Sequence, residues 1–201
     1  RVPGLLGVVA DIIKVEKEYE IAVETALGGS IQNIVTDTEE TAKRMIQYLK
    51  QNKFGRATFL PLTSMHGSGG IRDAQALKEP GVIGLANTLV TVEAKFQVLA
   101  DQLLGRTIVV DHIDHGIAIA RKYRQSLRLV TLEGDLINPG GSMTGGAFKN
   151  SSNLLSRRRE IEEFEETVAL LKKDMSAMEQ EVSEIKEKRA ACYSANDEIQ
   201  Q

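Results

Sequence analysis

A single cysteine, Cys192, stands in 201 residues, so an internal disulfide framework and a multi-cysteine zinc site are both excluded. That usage fits a reducing, intracellular setting. Tryptophan is absent and aromatics reach only 4%, which argues against a base-stacking platform for single-stranded nucleic acid. No apolar run is long enough to span a bilayer, so no membrane partner is expected. The opening RVPGLLGVVADIIKVEKEYE turns polar too early for a signal peptide. Charge of one sign is lacking too. With 25 Lys+Arg against 28 Asp+Glu the net charge is −3, so contact with nucleic acid would need a local patch rather than bulk attraction. The imbalance is concentrated at the end: residues 151–201 hold 8 basic and 12 acidic side chains, and the rest hold 17 and 16.

The usual catalytic motifs are missing as well. GGSMTGGA has glycines five apart at Gly140 and Gly145, as a phosphate loop would. Gly146 and Ala147 stand where that loop needs Lys and Ser/Thr. GSGGIR fails the dinucleotide pattern, because Arg72 occupies the third glycine position. DHIDH (Asp111 to His115) sets His112 and His115 three apart, a spacing that could hold a metal on one helix face but reads first as a polar helix start with exposed histidines. His66 has no evident partner, and Cys192 falls on an apolar seam, which reads as a core thiol rather than a nucleophile. The chain is expected to be non-catalytic, with no cofactor or metal site of its own.

What is present is an internal repeat. Gly7 to Gly28, GVVADIIKVEKEYEIAVETALG, aligns without a gap to Gly84 to Gly105, GLANTLVTVEAKFQVLADQLLG, at an offset of 77. NIVTD (Asn33 to Asp37) then corresponds to TIVVD (Thr107 to Asp111). Each is followed by a helical pattern, Thr41 to Lys50 and Gly116 to Tyr123, and then a strand, ATFLPL (Ala57 to Leu62) and RLVTLEG (Arg128 to Gly134). Strands alternating with helices predict an α/β fold of two similar subdomains. Gly28 and Gly105 suit left-handed helix C-termini, and Asp37 and Asp111 suit N-caps. The loop-rich stretch Met65 to Val82 reads as the linker.

Past Asn150 the pattern changes. Ile161, Val168, Met175 and Val182 recur every seven residues, and Phe164, Leu171, Met178 and Ile185 recur at the same period, offset by three. This is a coiled-coil seam over four heptads, continued weakly by Arg189, Cys192, Asn196 and Ile199. The predicted division is 1–80, first subdomain with linker; 81–153, second subdomain; and 154–201, a long coiled-coil helix. Arg157, Arg158 and Arg159 open that helix, with Lys149 just before. They read either as a solvated helix face beside Glu160, Glu162 and Glu163 or as a small phosphate-contacting patch.

FGRATFLPL (Phe54 to Leu62) and VTLEGDLINPGGSMTGG (Val130 to Gly146), followed directly by a coiled coil, resemble the hinge domain of SMC (structural maintenance of chromosomes) proteins, above all the bacterial chromosome-condensation SMC. The resemblance covers Leu5 to about Leu155 and the start of the returning arm. It implies a hinge of two α/β subdomains that homodimerises and joins coiled-coil arms so that the complex embraces DNA in chromosome condensation and segregation. It places Gly140, Gly141, Gly145 and Gly146 at the dimer interface, where bare backbone admits a partner strand. It suggests weak, non-specific DNA contact at Lys149, Arg157, Arg158 and Arg159, although family members often carry several lysines where Lys149 stands alone. ATP and Mg belong to a head domain outside this sequence, as do kleisin-type subunits. The chain's own N-terminal coiled-coil arm would be the partner of the helical tail. A bacterial, cytoplasmic and nucleoid-associated setting follows. Two other readings remain from the residues: a small α/β nucleotide-binding enzyme with a coiled-coil appendage, and a coiled-coil scaffold adaptor.

Overall fold

The computed structural model describes residues 3–67, 69–147 and 154–200. The chain forms two compact units, Arg1–Arg158 and Arg159–Gln201.

Within the first unit the repeat is visible element by element. The first half runs β1 (Leu5–Val8), α1 (Val9–Ile12), β2 (Lys14–Val15), α2 (Glu20–Leu27), β3 (Ile34–Thr36), α3 (Glu39–Asn52) and β4 (Phe59–Pro61). The second runs β5 (Val82–Leu85), β6 (Val90–Thr91), α4 (Gln97–Leu104), β7 (Thr107–Val110), α5 (Ile113–Lys122) and β8 (Arg128–Thr131), then adds β9 (Leu136–Ile137) and β10 (Met143–Thr144). The offset of 77 holds for the starts of β1 and β5 and of α2 and α4. It falls to 74 for α3 and α5, because the first half inserts a 3-10 turn, Gly28–Gln32, where the second passes almost directly from helix to strand.

Each half makes the same sheet. β1 pairs antiparallel with β3 and β3 parallel with β4; β5 pairs antiparallel with β7 and β7 parallel with β8. The register shifts between Leu5 and Gly7 in one and between Val82 and Gly84 in the other. The second sheet continues antiparallel through β9 to β10. The halves join through β2 and β6, where Lys14 lies opposite Thr91, its own counterpart in the repeat. A residue paired with its own counterpart marks an approximate two-fold axis, so the hinge core is an internal dimer of its halves.

Alternation along β7 explains the core. All four residues are buried: Val109 faces a cluster shared by both halves, with Val23, Val35, Leu99 and Leu104, while Ile108 and Val110 face a second cluster under α5. Among the described residues the first half has no equal of that second cluster. Its α3 buries only Thr41 and Ala42 and leaves Ile46 and Tyr48 exposed.

Several expectations change. The N-caps shift by one residue: Asp37 Oδ1 accepts from Thr38 N (2.6 Å), leaving Thr38 Oγ1 to accept from Thr41 N and cap α3. Likewise His112, without a capping side chain, precedes α5, while Asp111 Oδ1 accepts from His112 N. Gly28 has a positive φ of 50°, but Gly105 has φ −67°, ordinary helical backbone. Both outer helices start earlier than predicted, and β4 and β8 are shorter than the apolar runs that announced them. The expected linker contains a 3-10 turn, Ala74–Lys78, whose Ala76 is wholly buried in the second cluster.

The second unit belongs to α6 (Leu154–Gln200). The eight seam residues Ile161, Phe164, Val168, Leu171, Met175, Met178, Val182 and Ile185 are 47–68% exposed. Cys192 is exposed rather than a core thiol. The Ile199 side chain lies outside the described ones. Among the described residues no helix is long and apolar enough to cross a membrane.

Candidate dimer interface

The outer strands of the first sheet are β1 and β4 and those of the second are β5 and β10, so each half carries one sheet edge on its last strand, β4 and β10. Asn138 N donates to Ser142 O (2.9 Å), so Ser142 faces β9, and the pleat turns the N–H and C=O of Met143 outward. On the other edge Ile34 N donates to Thr58 O (2.9 Å), so the backbone groups of Phe59 point away from β3. Pro61, which has no N–H, closes that edge.

The glycine segment is held in place by bonds within the chain. Gly141 N donates to Asn138 O (3.0 Å) and Gly140 N to Gln125 O (2.8 Å). Gly140 and Gly141 both have φ +90°, a conformation that side-chain-bearing residues rarely adopt. Gly145 is bare for another reason: a Cβ there would stand 3.2 Å from Asp135 Cγ and closer still to Oδ1. At Gly140 and Gly146 a Cβ would meet nothing within 4 Å. Residues 139–147 are all exposed. The structure therefore brings the four glycines onto one exposed edge and gives at least three of them a reason inside the monomer as well.

The arginines are not one patch. Arg157 is exposed, whereas Arg158 and Arg159 are half-buried. All three are engaged within the chain, Arg159 by Glu163. Arg158 lines a cleft of about 850 Å³ with Gly4, Lys14, Glu93, Lys95 and Phe96. Lys149 lies outside the described residues. His115 Nδ1 lies 2.7 Å from Asp111 Oδ1, and this contact holds the Asp111 carboxyl below its ordinary range. Among the described residues no group of three His, Cys, Asp or Glu is arranged to hold a metal.

Sequence reasoning missed Glu24. This α2 carboxylate accepts from Leu154 N and Leu155 N, each at 3.2 Å, and so caps the start of α6 from the first half. Leu155 is 3% exposed and joins the core shared by both halves. Burial pushes the Glu24 carboxyl up, offset in part by the two amide donors, with Glu20 nearby adding to the rise. The available signal was an acid within the largely buried helix EIAVETAL; its repeat counterpart Asp101 instead accepts from Asn87 and Gln97.

The SMC proteins Flexible Hinge Domain family matches residues 2–120. The chain is 42% identical to the chromosome partition protein Smc of Bacillus subtilis (strain 168) over 92% of its own length and 16% of that protein's. It is 47% identical to the chromosome partition protein Smc of Desulfitobacterium hafniense (strain Y51), over 80% and 13%. Among solved structures it resembles an asymmetric dimer of the Geobacillus stearothermophilus SMC hinge domain, with TM-score 0.72 and 38% identity, covering 90% of this chain and 76% of that one. It also resembles the Pyrococcus furiosus SMC hinge domain, with TM-score 0.61 and 33% identity over 73% and 74%. The chain thus spans about a sixth or less of the length of the Smc proteins it matches. Its two α/β halves, the glycine edge and the long helix that follows belong to the SMC hinge family.

Proposed function

We propose that this chain is the homodimerisation hinge of a bacterial chromosome-partition Smc protein, joining two coiled-coil arms around DNA. The observation that carries this is the outward-turned backbone of two outer strands, β4 in the first half and β10 in the second. An open edge attracts another strand, and two copies related by a two-fold axis satisfy both edges twice, so assembly closes at two. The Geobacillus hinge, similar over most of this chain, crystallised as a dimer. Gly140, Gly141, Gly145 and Gly146 line the β10 edge and keep it clear for the partner's β4. Functionally the chain divides at 1–80, 81–153 and 154–201. The exposed seam of α6 takes the protein's own incoming arm, and ATP, Mg and kleisin-type subunits act at heads beyond this chain. Weak, sequence-independent DNA contact falls to Arg157 and Lys149, with Arg158 and Arg159 supporting them.

Met143→Pro tests the edge. It removes an outward donor without removing a β9–β10 bond. In sedimentation equilibrium, with seam pairing silenced by Leu171→Glu and Met178→Glu, the parent should run as a dimer and the Met143→Pro chain as a monomer. A Met143→Pro chain that stays dimeric would overturn the edge pairing.

A further inference from the structure

Outside α6, the exposed large apolar side chains among the described residues are Leu6, Ile46, Tyr48, Phe54 and Met143. Leu6 lies in the outer strand β1, Met143 in the outer strand β10, and Phe54 in the segment between α3 and β4. Phe54, 64% exposed, leads into β4, and Met143, 52% exposed, lies in β10. Isolated apolar side chains on a surface are ordinary, but Phe54 is held in position. Lys53 takes the left-handed conformation that ends α3, Phe54 N donates to Leu49 O (3.1 Å), and the Phe54 ring packs on Tyr48 with centroids 5.9 Å apart. A large aromatic fixed in the open monomer loses little freedom when covered, which is what an interface anchor requires.

Charge differs between the segment that runs from α3 to β4 and the one that runs from β8 to β10. Residues 41–61 hold Lys43, Arg44, Lys50, Lys53 and Arg56 and no acid, while residues 129–147 hold Glu133 and Asp135 and no base. Lys53, Arg56 and Glu133 are exposed. Glu133 sits in the β8–β9 turn, two residues from the Asp135 that touches Gly145. The acidic turn is therefore at the end of the β10 edge.

We propose that Phe54 is the apolar anchor, with Lys53 and Arg56 as its electrostatic guide, by which the β4 edge receives the Met143 edge and Glu133 turn of a second copy of this chain. The inference rests on the dimer reading above and names what recognises what within it. Opposite charge around an apolar centre sets register and speeds encounter more than it adds affinity, and two-fold symmetry repeats each contact.

The test uses the full chain with the seam silenced as above, followed by sedimentation equilibrium. Phe54→Ala should raise the dimer Kd about tenfold or more, with unchanged circular dichroism of the monomer. Lys53→Glu with Arg56→Glu should weaken the dimer, Glu133→Lys should do the same, and mixing the two variants' charges in one chain should recover part of the affinity. A Phe54→Ala chain that dimerises like its parent, or a charge swap without recovery, overturns the anchor. If Met143→Pro still separates the subunits in that case, the dimer reading stands; if it does not, the edge pairing falls with the anchor.

Discussion

Gly145 lies against the carboxylate of Asp135, so its missing side chain serves the monomer before any partner arrives. Gly145→Ala should cost about 1–3 kcal/mol through overpacking. Adding Asp135→Ala should recover much of that stability, because only Asp135 Cβ, at an ordinary 3.6 Å, would then face the new methyl. Urea unfolding of the single and double variants reads this, and an unaltered single variant would refute the collision. A second residue-scale effect belongs to Glu39. Its carboxylate accepts from Ser64 Oγ (2.5 Å) and Thr63 Oγ1 (2.6 Å), and these bonds pull its pKa down to about 2. A carboxyl depressed on folding contributes stability that is full above its unfolded value of 4.5 and is lost as pH falls toward 2. Thermal melts should show the parent losing more stability across that window than a Thr63→Ala, Ser64→Ala chain.

At the scale of elements, α6 begins under a cap that another helix supplies. Glu24→Ala leaves two amides at its start without an acceptor, at a cost of about 1–2 kcal/mol. Hydrogen exchange should quicken at Leu154 and Leu155 and stay unchanged in β7; uniform acceleration would mean global unfolding instead. Because the Glu24 carboxyl is raised, its ionisation opposes folding, and stability from this group falls as pH rises past the ordinary glutamate range. Glu24→Gln should lessen that fall while keeping one acceptor. Which elements could be read beforehand depended on length and distance. The helices α2 and α4 were legible, since eight residues of apolar pattern recur 77 apart. Strands β9 and β10, two residues each, are too short to show alternation and emerge only from pairing. The four glycines pointed to an edge, but Asp135 against Gly145 needs the hairpin register. Glu24 was out of reach, because its partners are 130 and 131 residues away. The N-caps slipped by one because each Asp side chain bonds the amide of the very next residue, leaving Thr38 to cap α3 and no side chain to cap α5.

For the whole molecule, the approximate two-fold axis through Lys14 and Thr91 joins halves that have diverged at their rims: the first edge basic and aromatic, the second acidic and glycine-rich. DNA binding through Arg157 and Lys149 should be shallow in salt. Arg157→Glu with Lys149→Glu should weaken binding to duplex DNA in low-salt fluorescence anisotropy. It should also lower the slope of log K against log salt by about 0.9 for each phosphate no longer neutralised; an unchanged slope would move the binding surface elsewhere. One consequence is mechanical. The polypeptide reaches α6 from the second half, yet Glu24 of the first half caps its root and Leu155 is buried in the core both halves share. A pull on the root of α6 therefore loads α2, and the packing of α2 on α4 and β8 shares it across the internal two-fold axis. The hinge is built to spread a pull over both halves rather than deliver it to one seam.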